Sequence, residues 1–199
     1  MPSAKNSHKH TKGKAMSRAI GIVAVVAFVV GLGVWSVQKY HSYHFKAQTT
    51  NGEVSMDTFL GKYKIVYFGY MSCPDVCPAT LGLLQESLQD LQDETDLSDV
   101  AVLFITLDPK RDSLKALDSY VKHFYPNAYG LRFDEQTLQE VTKRYGVKYE
   151  IIPLKDSKLG YSIAHSSSLY LFDKQGFLTQ EVSNLATLKD DLLSFFANH

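Results

Sequence analysis

Two runs of β-branched and aromatic residues constrain the fold of this chain more than any other feature. They are residues 64–70 (KIVYFGY) and residues 100–107 (VAVLFITL). Neither run alternates cleanly between apolar and polar residues, which is typical of a strand buried on both faces of a sheet. The first run is followed by an apolar stripe at helical spacing, formed by Leu81, Leu84, Leu88 and Leu91. Strands that alternate with helices predict an α/β fold.

Turn signals predict two hairpins, which would make the sheet mixed rather than purely parallel. An Asn51-Gly52 turn separates extended runs at 45–49 and 53–55. A second turn at 174–176 joins two runs between residues 168 and 182. The remaining periodicity predicts a short strand at 149–152 and helices at 114–124, 137–145 and 188–197.

Residues 19–37 contain no charged side chain. As a helix this run would span about 28 Å, close to the thickness of the hydrocarbon core of a bilayer. Basic residues are more frequent before the run than after it, and the positive-inside rule then keeps the N-terminus in the cytoplasm. A cleaved signal peptide is the alternative, although its apolar region is usually shorter.

These features predict a single-pass protein of the inner (cytoplasmic) membrane. Residues 1–18 would form a basic cytoplasmic tail, 19–37 a transmembrane helix and 38–44 a tether. Residues 45–199 would form one domain on the periplasmic, extracytoplasmic side.

Charge and cysteine content exclude two classes of protein. The 21 basic and 21 acidic residues cancel, so the chain does not have the charge of a nucleic-acid-binding protein. Two cysteines are too few for a small domain stapled by disulfides.

The two cysteines, Cys73 and Cys77, follow the first strand and begin the next helix. This is the end of a strand where α/β proteins place ligands. A spacing of four puts both sulfur atoms on one helical face, and a helix N-terminus favours the thiolate form. Three interpretations are open: a buried structural pair, a redox dithiol, or a site for a soft metal ion such as Cu(I) or zinc.

Two thiolates are too few for a stable metal site, and His165 is the best candidate for a third ligand. It lies in a polar segment immediately before the predicted strand SSLYLF. The other histidines lie in the tail, in the tether, at the C-terminus or, for His123, at the end of an apolar helical stripe. Position alone leaves open that His165 is an ordinary core or surface residue.

Three motifs in this order resemble the SCO/SenC family of copper-binding respiratory assembly proteins. They are IVYFGYMSCPDVCPATL, ITLDPKRDSLKALDSYVKHF and AHSSSLYLFDKQG. Family members carry a Cys-x-x-x-Cys-Pro motif, an Asp-Pro-x-Arg-Asp stretch and a distal histidine before a late hairpin. The resemblance implies a thioredoxin-like mixed sheet flanked by helices, with an added N-terminal β-hairpin. It also implies that Cys73, Cys77 and His165 bind copper, as Cu(I) or Cu(II).

The same resemblance implies a function as a membrane-anchored copper metallochaperone that helps mature the copper A centre of cytochrome c oxidase. The expected partners are the copper A subunit of the oxidase, a copper donor chaperone and a thiol reductant such as a thioredoxin-like protein. Such a chaperone is not an enzyme. Two alternatives stay open: a thiol–disulfide oxidoreductase that uses Cys73 and Cys77 to keep oxidase cysteines reduced, and a copper or redox sensor.

Three further residues are expected close to the ligands. Asp108, in the Asp-Pro-x-Arg-Asp stretch, would orient His165 or tune a thiol, unless this stretch only shapes the loop and Asp112 caps the next helix. Asp75, between the cysteines, would add negative charge that favours a bound cation. Met71 would offer a thioether as a transient soft ligand, or would pack in the core.

Overall fold

A computed structural model describes residues 8–93, 96–155 and 157–199, without the side chains of residues 8–19, 36 and 39–41. The chain divides between residues 41 and 42 into two units. The first unit contains helix α1 (His8–His41).

The prediction of a transmembrane helix at residues 19–37 has to be corrected. Crossing a bilayer requires about 20 consecutive apolar residues within one helix. In the part of the chain that the structure describes, no helix combines the length and the hydropathy that a membrane span requires. The prediction is therefore wrong on this criterion, and the basic tail predicted at 1–18 lies partly outside the described residues.

The second unit contains nine strands and four helices among the described residues. In chain order these are β1 (Lys46–Thr49), β2 (Gly52–Ser55), β3 (Tyr63–Gly69), α2 (Val76–Asp90), β4 (Val100–Thr106), α3 (Leu114–Phe124), β5 (Ala128–Leu131), α4 (Glu135–Tyr145), β6 (Tyr149–Pro153), β7 (Tyr161–His165), β8 (Leu169–Phe172), β9 (Leu178–Val182) and α5 (Leu188–Asn198).

Five of the strands form one mixed sheet in the order β5-β4-β3-β8-β9. Strands β3, β4 and β5 are parallel, whereas β8 and β9 pair antiparallel, as the second predicted hairpin requires. Every residue of β3 and β4 is buried, which confirms that both runs form strands covered on both faces. The first predicted hairpin is also present, with Thr49 paired to Gly52 across the β1–β2 turn.

Side-chain caps determine where two of the helices begin. Ser113 accepts a hydrogen bond from the N–H of Ala116 at the start of α3, and Asp134 accepts one from Thr137 at the start of α4. Asp112, which was expected to cap α3, therefore has a different role, described below.

Two strands, β5 and β7, were not predicted from the sequence. Strand β5 has only four residues and contains Gly130, whose Cα packs closely against Leu117. Strand β7 (YSIAH) is short and rich in polar residues, and it pairs with β6 in a separate two-stranded sheet. His165 is thus the last residue of a strand, paired with Tyr149, rather than part of a loop.

Gly69, at the end of β3, leaves no space for a side chain. A Cβ atom there would lie 2.9 Å from Cε2 of Phe104 and 3.0 Å from Sγ of Cys77. We expect Gly69→Ala to lower the free energy of unfolding by about 1–3 kcal/mol, because overpacking forces its neighbours to move. Urea unfolding measures this change.

Gly82 provides a matched control. It lies within α2, and a Cβ atom there would meet no atom within 4 Å. Gly82→Ala should raise the free energy of unfolding by about 0.5–1 kcal/mol, because alanine loses less conformational entropy in a helix. Unchanged stability in the Gly69→Ala variant would contradict the close packing beside Cys77.

Candidate metal centre

Three separate elements bring Cys73, Cys77 and His165 together. Cys73 lies in the loop after β3, Cys77 lies in the first turn of α2, and His165 ends β7. One donor atom from each of these residues lies within 4.8 Å of the others. Sγ of Cys77 is 3.4 Å from Nε2 of His165, across 88 positions of sequence.

The orientation of the His165 ring follows from its other nitrogen. Nδ1 lies 2.8 Å from the carbonyl oxygen of Ser166, and a carbonyl can only accept a hydrogen bond. Nδ1 therefore carries the proton in the neutral ring, and the lone pair of Nε2 faces Cys77. Burial lowers the pKa of His165, despite the opposing effect of the Ser166 carbonyl, so the ring is neutral at pH 7.

The two thiols have different environments. Cys77 is completely buried, and this burial raises the pKa of its thiol to about 12. Cys73 is half-buried, which by itself raises the pKa of its thiol. Hydrogen bonds to the Cys73 sulfur together outweigh that effect and bring its pKa below that of an ordinary thiol. The largest contributions come from the backbone N–H groups of Cys77 and Asp75, and the side chains of Cys77 and Tyr70 add to them.

The ring of His165 lies next to the rings of two tyrosines, Tyr67 in β3 and Tyr70 directly after it. The ring centroids of Tyr67 and Tyr70 lie 6.4 and 6.0 Å from that of His165. The hydroxyl of Tyr70 accepts a hydrogen bond from the N–H of Ile163 and lies 3.0 Å from Oγ of Ser162, and both of those residues belong to β7. Neither tyrosine was a predicted site residue, although both lie in the strand-like run that precedes the cysteines.

The role of Asp112 differs from the helix cap that the sequence suggested. Its carboxylate accepts hydrogen bonds from the hydroxyl of Thr106 (2.6 Å) and from the N–H of Met71 (3.1 Å). Asp112 therefore joins the end of β4 to the loop that carries Cys73. Burial raises the pKa of its carboxyl group, although both hydrogen bonds oppose this change. Met71 itself is half-buried and packs against the core.

The two other predicted neighbours, Asp75 and Asp108, differ in burial and in hydrogen bonding. Asp75 is exposed and makes no side-chain cap at the N-terminus of α2. Asp108 is buried and accepts hydrogen bonds from the Arg111 guanidinium and the Tyr161 hydroxyl. Nδ1 of His165 donates its hydrogen bond to the backbone carbonyl of Ser166 and not to Asp108. Asp108 instead contacts β7 through Tyr161 and Arg111.

Cys73 and His165 are each only half-buried. A shallow groove beside His165 is lined by Lys148, Tyr149, Glu150, Ala164 and Ser166. Two sulfur atoms and one imidazole nitrogen can bind a soft metal ion, and the two sulfur atoms can instead form a disulfide. Both reactions need the thiols to lose their protons.

Comparison with known proteins agrees with this geometry. The SCO1/SenC family model matches residues 36–193. A SCO2-like protein of Rickettsia conorii is 33% identical over 184 residues, which cover 82% of this chain and 89% of the relative.

Two solved structures have a similar fold. ScoI of Arabidopsis thaliana with copper bound has a TM-score of 0.71 and 28% identity, and the match covers 78% of this chain and 98% of that one. ScoI of Bradyrhizobium japonicum with copper bound has a TM-score of 0.67 and 29% identity, with coverage of 78% and 96%. These structures support the thioredoxin-like α/β domain that the motifs implied. The family model covers most of the sequence, and the chain therefore belongs to the SCO1/SenC family.

Proposed function

We propose that this chain is a copper metallochaperone that binds copper through Cys73, Cys77 and His165 and helps mature the copper A centre of cytochrome c oxidase. The observation that carries this proposal is the cluster of two sulfur atoms and one nitrogen within 4.8 Å. Membership of the SCO1/SenC family and the copper-bound relatives support copper as the ion.

The donor set fits copper chemically. Thiolate sulfur is a soft ligand that selects Cu(I), and imidazole binds copper in either oxidation state. In metal sites of this kind, two ligands of one ion lie at most about 4.6 Å apart, since metal–sulfur bonds are about 2.3 Å long. The cluster is therefore already close to a binding geometry, and only small side-chain movements are needed.

The unequal exposure of the thiols suits transfer of the ion. Cys73 is half-buried, whereas Cys77 is completely buried. A thiolate from a partner can approach on the Cys73 side and replace one ligand at a time. The copper A subunit as recipient, a copper donor chaperone, a thioredoxin-like reductant and an extracytoplasmic location remain predictions.

One observation favours a thiol–disulfide oxidoreductase as the second candidate function. The lowered pKa of Cys73 makes it the attacking thiolate, and the raised pKa of Cys77 keeps the second thiol protonated. The Cys73 thiolate would attack a disulfide of the partner, breaking its S–S bond, forming a mixed disulfide and releasing the other partner sulfur as a thiolate. Cys77 would then lose its proton and attack Cys73, so that two electrons pass to the partner, which leaves as a dithiol.

Copper stoichiometry tests the first proposal. The reduced full-length chain should bind one Cu(I), and Cys73→Ala or Cys77→Ala should abolish this binding. His165→Ala should weaken the affinity by at least about tenfold, because changes to groups that only support a ligand already cost about 10–100-fold. Metal analysis and competition against a Cu(I) chelator measure both effects.

His123→Ala is the matched control, because His123 is exposed and lies at the end of α3, where its ring contacts Phe124. It should leave the copper affinity unchanged. Tight binding of zinc in preference to copper by the wild-type chain would count against the proposal.

The pH dependence of copper affinity follows from the thiol protons. With a pKa of about 12, Cys77 is protonated at neutral pH and must release its proton when copper binds. Cys73 releases less than one proton because its pKa is lowered, and His165 is already neutral. The affinity should therefore rise by about tenfold or more per pH unit between about pH 7 and 8. A flat profile in chelator competition would show that Cys77 does not bind copper as a thiolate.

His165→Ala also separates the two candidate functions in cells. If copper transfer is the function, this variant should lose cytochrome c oxidase activity in a strain that lacks the wild-type protein. If thiol reduction is the function, oxidase activity and thiol exchange should both survive, because both cysteines remain. Cys73→Ser, which abolishes both chemistries, is the negative control.

A further inference from the structure

We propose that Arg111 and Tyr161 are positioning residues that determine where His165 lies relative to the two thiols. The inference rests on the proposed role of His165 as a copper ligand. Neither residue contacts a donor atom of the centre in the contacts that the structure describes, so their effect must pass through strand β7.

Arg111 holds the beginning of β7 from the loop after β4. Its Nη1 donates hydrogen bonds to the carbonyl oxygens of Leu159 and Tyr161, each at 2.9 Å. Its guanidinium carbon also lies 3.7 Å from the centre of the Tyr161 ring, within the range of a cation–π interaction. Three separate contacts therefore fix the position and direction of the strand where it starts.

Asp108 connects this cluster to the main sheet. Its carboxylate accepts hydrogen bonds from Nε of Arg111 and from the hydroxyl of Tyr161, the latter at 2.7 Å. Its own N–H donates to the hydroxyl of Thr106, the last residue of β4. Asp108 is 2% exposed and the Arg111 side chain is 22% exposed, so water competes little for these contacts.

His165 depends on such contacts because β6 and β7 form a sheet of their own. A two-stranded hairpin is at best marginally stable by itself, and it takes its position from whatever it packs against. The described contacts of β7 outside this sheet include the Arg111 cluster at Tyr161, the Tyr70 hydroxyl at Ser162 and Ile163, and the burial of the Ile163 side chain in the core. A shift at the start of the strand is therefore passed along four residues to His165.

The same loop also holds the cysteine side of the centre. Asp112 accepts the hydrogen bond from the N–H of Met71, two residues before Cys73. Residues 108–112 thus contact both the strand that ends in His165 and the loop that carries the half-buried thiol of Cys73. This arrangement lets one short segment set the separation between the ligands.

A double-mutant cycle tests the proposal on the full-length, reduced chain. Arg111→Lys keeps the charge but loses the planar guanidinium, which reaches Asp108 through Nε and two carbonyls through Nη1. We expect it to weaken Cu(I) affinity by about 10–100-fold. The reduction potential of the Cys73–Cys77 pair should not change. In a His165→Ala background, Arg111→Lys should cause no further loss of affinity.

Tyr161→Phe serves as a second variant if Arg111→Lys fails to fold. It removes only the hydroxyl that reaches Asp108, and it should weaken copper affinity in the same direction by a smaller factor. Lys110→Ala is the matched control from the same loop, because its Nζ pairs with Glu135 at 2.7 Å on the surface. It should bind copper like the wild type.

Two results would overturn the inference. One is an Arg111→Lys affinity equal to that of the wild type, and the other is a loss of the same size in the presence and absence of the His165 imidazole. If the wild-type chain itself binds no copper, the proposed function fails, and this inference fails with it. That outcome is distinguishable, because the other two require a wild type that binds.

Discussion

The approach of the Cys77 sulfur to Nε2 of His165 is the interaction on which the rest of the site depends. Cys77 is placed by the core, where it packs against Gly69 at the end of β3. His165 is placed by a separate two-stranded sheet. The distance of 3.4 Å between Sγ of Cys77 and Nε2 of His165 therefore depends on how firmly the two-stranded sheet is held in place. Hydrogen bonds with Arg111 and Tyr70 help to hold β7 in place, together with the buried side chain of Ile163. The groups of a functional site must be held to within about 0.5 Å.

The two thiols differ in burial, since Cys77 is buried and Cys73 is half-buried. The helix N-terminus stabilises negative charge on Cys73, whereas the apolar core disfavours it on Cys77. A soft cation reverses the second effect, because it neutralises the thiolate inside the core. The same asymmetry separates an attacking thiol from a resolving thiol. The proposed copper binding and the alternative thiol exchange would thus share one physical basis, and the imidazole of His165 is what distinguishes them.

Most of the sheet could be predicted from residue patterns, because β3 and β4 are apolar on both faces and the two hairpins carry turn residues at their tips. Strands β5 and β7 could not, since four residues around Gly130 and the polar sequence YSIAH have no periodicity of their own. The membrane span expected at residues 19–37 is not supported in the described part of the chain. Asp112 was expected to cap a helix, yet Ser113 performs that role and Asp112 instead holds the Met71 amide.

The sequence by itself determined the chemistry: two cysteines four residues apart after a buried strand, a distal histidine, and the motifs that mark the family. Those properties are local or compositional, and they can be read without coordinates. Only the tertiary structure decided which ring nitrogen faces the sulfur, which thiol is buried, and that Asp108 contacts Arg111 and Tyr161. These features arise between residues far apart in the chain, where the packing of one sheet against another sets distances that no pattern of neighbouring residues contains.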